Sequence, residues 1–289
     1  MPRINVAVAN GFYVDDSLTV SNQECNNWYP DNVQVNGALS PEILNDTPGI
    51  RERTNTGQVN QSNRGRHEKA GKPYFLNGET LIRVDEVVDI SGSVSFINTF
   101  IGTIPGDQNV MMEDNGTQLM VLVPGGKGYI INETAIPVFQ EITVAGFTAN
   151  GAPQYLEFTD SFFICNTDSK KFIKSAANNG LSWNALDFGT AEADPDNIVA
   201  PIVSRNRLYI AGSQTIEDFP NRPSGADFPF VRGGLVIKKG VSAPLSLVDV
   251  GASFMFVGGG VNEKAIHKIN VLRGTISSKI NVCYFLKYW

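Results

Sequence analysis

The chain has 289 residues, 42% of them hydrophobic and 18% charged, so it can build a packed core and is not a disordered polymer. Its 28 glycines and 15 prolines favour many short strands joined by turns over a helical bundle. A net charge of −6, from 29 acidic and 23 basic residues, excludes a protein that grips nucleic acid through a dense field of Lys and Arg.

Residues 1–65 are rich in Asn, Gln, Thr and Ser, and their apolar runs are short. Asn27-Trp28-Tyr29-Pro30-Asp31 and Thr47-Pro48-Gly49-Ile50 read as turns, each carrying an anchoring hydrophobe. This region is expected to be an extended, loop-rich arm that lies on a partner or on its own domain. Trp28 and Tyr29 are its candidate interaction anchors, because they offer a large contact area at little rotamer cost.

Residues 66–289 are expected to form the main domain, built hairpin after hairpin. Tyr74-Phe75-Leu76 and Thr80-Leu81-Ile82-Arg83-Val84 flank Asn77-Gly78, a pair suited to the tight primed turn. Val110-Met111-Met112 and Gln118–Val123 flank Asn115-Gly116 in the same way, and Pro124–Gly128 turns the chain into Tyr129-Ile130-Ile131. Tyr155–Phe158 and Phe162–Cys165 enclose a tight turn around Asp160-Ser161. Asn184–Ile198, centred on Ala191-Glu192-Ala193, is the one stretch that reads as helix or loop, ended by Asp194-Pro195-Asp196. Later strands are expected at Arg207–Ile210, Leu235–Ile237, Leu245–Val248 and Ser253–Val257. Strands recurring every 8–12 residues or so, grouped in units of about 40–50, suggest the four-stranded blades of an all-β propeller.

Little in the chain speaks for catalysis. There is no Gly-x-Ser-x-Gly elbow, and Gly126-Lys127-Gly128 lacks the spacing and the Ser or Thr of a phosphate loop. Gly258-Gly259-Gly260 follows a strand but opens no helix, which defeats a dinucleotide reading. His67 reads as a surface residue and His267 as a structural one, while Asp194, Asp196 and Asn197 read as turn formers before they read as calcium ligands. Cys25, Cys165 and Cys283 are too far apart for a metal site and read as free thiols. No enzyme activity, cofactor or metal is expected. The apolar runs are too short for a signal-peptide core or a spanning helix, so a soluble protein made in a cytoplasm is expected, without membrane insertion.

One ordered set of motifs is more specific. Trp183-Asn184-Ala185-Leu186-Asp187-Phe188-Gly189-Thr190-Ala191-Glu192-Ala193-Asp194-Pro195-Asp196-Asn197 resembles a hallmark stretch of the phage packaged DNA stabilisation proteins, the tail hub proteins of short-tailed bacteriophages. The similarity continues through Arg207–Gly212, Thr215-Ile216-Glu217, Phe228–Arg232 and Lys239–Pro244, and upstream through Asn27–Pro30, Thr47-Pro48-Gly49 and Asp114–Leu119.

The resemblance implies a β-propeller, closed or incomplete, that assembles as a homohexameric ring below the portal and its adaptor. It further implies a virion tail location after assembly in the host bacterial cytoplasm. The expected partners are the portal-adaptor protein, a tail needle or plug and a tailspike or tail fibre. Packaged DNA would pass through the channel without sequence-specific binding. The alternative is a tail propeller that acts on host surface glycans as an enzyme or lectin. No catalytic residue belongs to the family, so none is carried over.

Overall fold

A computed structural model of the chain describes residues 28–32, 42–47, 49, 52–58, 60–194, 196–222, 228–251, 253–259, 265–270 and 275–281. The chain divides into two compact units between Arg53 and Thr54. In the first, β1 (Trp28–Asn32) pairs antiparallel with β2 (Glu42–Asp46), setting Trp28 opposite Asp46 and Tyr29 opposite Asn45. The run expected as a turn at Asn27–Asp31 is therefore strand from Trp28 onward. Trp and Tyr favour extended backbone, and a two-stranded sheet consists only of edges, so Pro30 costs it no central ladder bond. Asn45 Nδ2 donates to Asp31 Oδ2 at 3.2 Å across this pair.

The second unit is a succession of antiparallel sheets, the first four of them simple meanders. The first blade contains β3 (Asn63–Lys69), β4 (Lys72–Asn77), β5 (Thr80–Val88) and β6 (Val94–Thr103). The second contains β7 (Met111–Asp114), β8 (Gln118–Val123), β9 (Lys127–Asn132) and β10 (Phe139–Glu141). The third contains β11 (Pro153–Thr159), β12 (Phe162–Thr167), β13 (Lys171–Ala176) and β14 (Asn179–Thr190). The fourth contains β15 (Ile198–Ser204), β16 (Arg207–Gly212), β17 (Ile216–Phe219) and β18 (Val236–Ile237). In the fifth, β19 (Gly240–Val241) and β20 (Val248–Asp249) both pair with β21 (Ser253–Gly259), followed by β22 (Ala265–Asn270) and β23 (Thr275–Asn281). The expected domain limit at residue 65 falls inside β3, the first strand of the first blade.

The hairpin turns form where small or polar residues tolerate positive φ. Gly78 and Gly116 adopt φ of 54° and 85°, so in both expected Asn-Gly hairpins the left-handed backbone falls on the glycine, while Asn77 closes the ladder opposite Thr80. Asp160-Ser161 and Arg205-Asn206 make equally tight turns without glycine, with all four residues at φ between 49° and 74°.

Two expectations change. Asn184–Thr190 is not helix or loop but the second half of β14, and its pairing shifts register between Trp183 and Phe188. Trp183 and Phe188 both pack in the core, and Asp187 accepts a 2.5 Å hydrogen bond from Lys174 Nζ on β13, so tertiary contacts override the helical composition. Leu245–Val248 is not one strand: Pro244–Ser246 forms a 3₁₀ turn that splits β19 from β20. Proline offers no N–H there, and the Ser246 hydroxyl instead accepts the Val257 N–H at 2.8 Å.

The second, third and fourth blades are apolar on both faces. Along β8, Leu119, Val121 and Val123 join Tyr74, Leu76 and Leu81 of the first blade, while Met120 and Leu122 join Leu156, Phe163 and Ile173 of the third. Ile164 and Phe172 of the third blade pack with Leu208, Ile210 and Phe219 of the fourth. Tyr209, Ala211 and Ile216 on the fourth blade's other side meet Phe254, Phe256 and Ile269 of the fifth. Four apolar layers thus join five blades in sequence, and among the described residues none joins the fifth to the first. The architecture is an all-β, incomplete propeller.

Arg64 ties the first blade to the second. Its guanidinium is buried and donates to the carbonyl oxygens of Gln108 (2.7 Å), Gly78 (2.9 Å) and Ile104 (2.7 Å). One side chain therefore binds the β4–β5 turn to the strap that leads from β6 to β7. Replacing it strands several buried carbonyls at once, and Arg64→Met is expected to cost about 3 kcal/mol. Urea unfolding of the variant beside the parent chain measures this; an unchanged midpoint would remove Arg64 from the framework.

Candidate functional surface

The anchors Trp28 and Tyr29 sit on β1, with their side chains outside the described residues. The titratable residues that the sequence singles out are mostly structural. His67 Nε2 lies 2.6 Å from Asp114 Oδ2, joining the first strands of blades one and two, so it is a partly buried latch and not a free surface residue. Tyr74 and Arg83 of the first blade both bond Glu133 of the second, with Lys72 Nζ 3.9 Å from the same carboxylate. Gln118 Oε1 accepts the Gly180 N–H at 2.8 Å, latching the second blade to the third. Gly180 allows this approach because a Cβ there would lie 2.4 Å from Ile130 Cδ1.

His267 is fully buried beside Phe256, with Nε2 3.1 Å from the Gly258 carbonyl oxygen. Burial pushes its pKa down, and the nearby Lys239 charge acts the same way, which fits the structural reading. Cys165 is a buried free thiol whose pKa burial drives well up. Asp196 accepts the Gln214 and Thr215 N–H groups at 2.7 and 3.1 Å, so it braces the distant β16–β17 turn. Among the described residues no group of three His, Cys, Asp or Glu side chains could hold a metal ion. Lysines stand adjacent in the sequence at Lys170-Lys171 and at Lys238-Lys239. Lys171 lies 4.0 Å over the Phe188 ring and Lys238 pairs with Asp194 at 2.8 Å.

Two features escaped the sequence reading. Glu113 on β7 and Glu157 on β11 stand on the first strands of adjacent blades, the strands that approach one another around the propeller axis. Burial raises the Glu113 pKa to about 7 against the pull of His67. Burial also drives Glu157 well above the ordinary range, and the Glu113 and Asp249 charges add to this, while a Val203 backbone hydrogen bond opposes it. A lone acid inside an apolar run, as in Tyr155-Leu156-Glu157-Phe158, is the signal that marks such a site.

The other feature is the β5–β6 hairpin, longer than the pairs that follow its turn in the second and fourth blades. Val88, Ile90, Val94, Ile97 and Phe100 are all exposed on it. The run Val94–Ile101 was not among the expected strands; its Val, Phe, Ile and Thr content is the signal that could have found it, and no Asn-Gly pair adjoins it.

A family model described as Bacteriophage P22 Gp10, β-propeller, matches residues 4–281. No curated protein matches the sequence. Among solved structures, the WD40 β-propeller domain of Doa1 is 15% identical with a TM-score of 0.46, over 76% of this chain and 69% of that one. Kluyveromyces lactis Hsv2p is 9% identical with a TM-score of 0.47, over 78% of this chain and 75% of that one.

The raised pKa of Glu113 has a consequence for stability. The folded chain holds that proton more tightly than the unfolded one, whose glutamate titrates near 4.5. The favourable contribution is complete below pH 4.5 and is lost as pH rises through about 7. A fall on the order of 2 kcal/mol is expected between pH 5 and pH 8, and Glu113→Gln should flatten that dependence. Thermal melts across this range check it, and an equally steep profile in the variant would clear Glu113 of the effect.

Proposed function

Because this chain belongs to the family of Bacteriophage P22 Gp10 β-propellers, the phage packaged-DNA stabilisation proteins, we propose that it is a structural virion protein acting as a tail hub. The observation that carries this reading is the family match over residues 4–281 on a chain of consecutive four-stranded blades. In it, copies of the chain form a six-membered ring below the portal and adaptor, continue the DNA channel and receive the needle and the tailspike or fibre. Trp28 and Tyr29 anchor the N-terminal arm on the adaptor.

The mechanism is mechanical. Inter-blade latches and apolar layers make each subunit a stiff block, and the ring retains DNA by closing its path. The net charge of −6 supports retention without grip, since walls of like sign let the duplex slide during ejection. The rival reading, a glycan-directed enzyme or lectin, draws less from the structure: Glu113 and Glu157 are both half-buried on the first strands of their blades, and no family match points to glycan chemistry.

Six copies per virion, in head-to-tail contact, are expected in a particle reconstruction with the protein labelled; another copy number would sink the ring. Purified protein is expected to show no binding to duplex DNA at physiological salt, because tight binding requires roughly 6–10 phosphate contacts. A sub-micromolar affinity there, measured by fluorescence anisotropy, would replace retention by blockage with retention by grip.

A further inference from the structure

The outer edges of the blades are not alike. β10 has three residues and β18 two, and β14 shifts register twice where it faces the Ala145–Phe147 turn. Short or irregular edges of this kind resist pairing with other chains. β6 differs from all three. It is ten residues long and keeps an unbroken register with β5 from Ile82↔Phe100 to Val88↔Val94. No described strand pairs with its other edge.

Its sequence, Val-Ser-Phe-Ile-Asn-Thr-Phe-Ile-Gly-Thr, contains no charge and no proline, the two residue classes that guard exposed edges. Apolar side chains stand out on both of its faces: Phe100 is 62% and Val94 53% exposed on one, and Ile97 52% on the other. The Thr54–Thr56 segment does not occupy this edge. It crosses the sheet face, bonding Asn98 on β6 and Asn77 on β4.

The hairpin also carries a charge of one sign. Residues 84–103 include Asp85, Glu86 and Asp89 and no Lys or Arg. Asp85 is neutralised by Arg83 at 2.7 Å and Lys72 at 3.6 Å. Glu86 and Asp89 have no cation beside them among the described residues. Asp89 accepts the Ser91 and Ser93 N–H groups at 2.7 and 2.9 Å, which braces the turn at the acidic tip.

We propose that the outer edge of β6 is a docking site for an extended strand of another protein, one that alternates apolar and polar side chains and ends in basic residues beside the hairpin tip. Such a strand would gain main-chain hydrogen bonds along the edge, contact Val94, Ile97 and Phe100, and place its basic end against Glu86 and Asp89. A second copy of this chain fits less well, because its residues 94–107 hold no Lys or Arg that could meet Glu86 and Asp89. The site does not depend on the hub reading, since it requires neither a ring nor a tail.

The test uses the full chain and three synthetic peptides: alternating valine and threonine flanked by lysines, the same core flanked by glutamates, and the lysine peptide with alternate backbone amides methylated. The lysine peptide is expected to bind at least about tenfold more tightly than the other two and to slow amide exchange across residues 94–103. Ile97→Lys and Phe100→Lys, both at exposed positions, are expected to weaken it about tenfold while leaving the thermal melt unchanged. The proposal is overturned if the lysine and glutamate peptides bind alike, if protection falls elsewhere, or if no peptide binds. It is equally overturned if the free protein is a dimer whose β6 amides are already protected and become exposed in Phe100→Lys. A particle with a copy number other than six, together with selective peptide binding, would separate failure of the hub from failure of this site.

Discussion

No blade of this protein has a core of its own, and that constraint organises everything else. A four-stranded antiparallel sheet has two faces and one layer of thickness, so its apolar side chains find cover only on neighbouring sheets. β8 shows the consequence most plainly, because all six of its residues are buried, alternately against the blade before and the blade after. The stability of each blade is therefore shared with its neighbours, in the manner of repeat proteins. Among the described residues no apolar layer of this kind joins the fifth blade to the first.

The polar contacts follow the same geometry. His67 with Asp114, Arg83 with Glu133, Gln118 with Gly180 and Ser204 with Asp249 each join one blade to another. They supply register where the apolar layers supply adhesion, since a hydrogen bond is satisfied at one offset and a greasy face at several. Arg64 extends the idea to the backbone by replacing several water contacts with carbonyl oxygens from separate loops. The mechanical role proposed above would draw its stiffness from this arrangement. The chain also gains sites where protonation matters, because Glu113 and Glu157 stand on first strands beside apolar neighbours such as Met112, Leu156 and Phe158.

Much of the propeller was legible before folding. Asn77-Gly78 and Asn115-Gly116 mark their hairpins because the left-handed backbone they need is one that few residues tolerate. Other stretches were misread for specific reasons. Ala191-Glu192-Ala193 suggested helix by local preference, yet the run before it is held extended by Trp183, Asp187 and Phe188 through contacts distant in sequence. Leu245–Val248 has the composition of a strand, but Pro244 and the Ser246 hydroxyl divert it. The candidate anchors Trp28 and Tyr29 fall in a strand and not in the expected turn, because pairing with β2 is information that the segment does not contain.

The sequence by itself determined the all-β class, the hairpin grammar, the acidic balance and, through its ordered motifs, the family. These are local or compositional properties: turn chemistry needs one or two residues, strand preference a handful, and charge only a count. The tertiary structure alone decided which faces meet and which stay bare. It set Glu113 near Glu157, placed His67 on Asp114, and left the uncharged edge of β6 without a described neighbour. Such juxtapositions depend on the order and rotation of whole blades, and the energies that select them are summed over long-range contacts that no short window of sequence records.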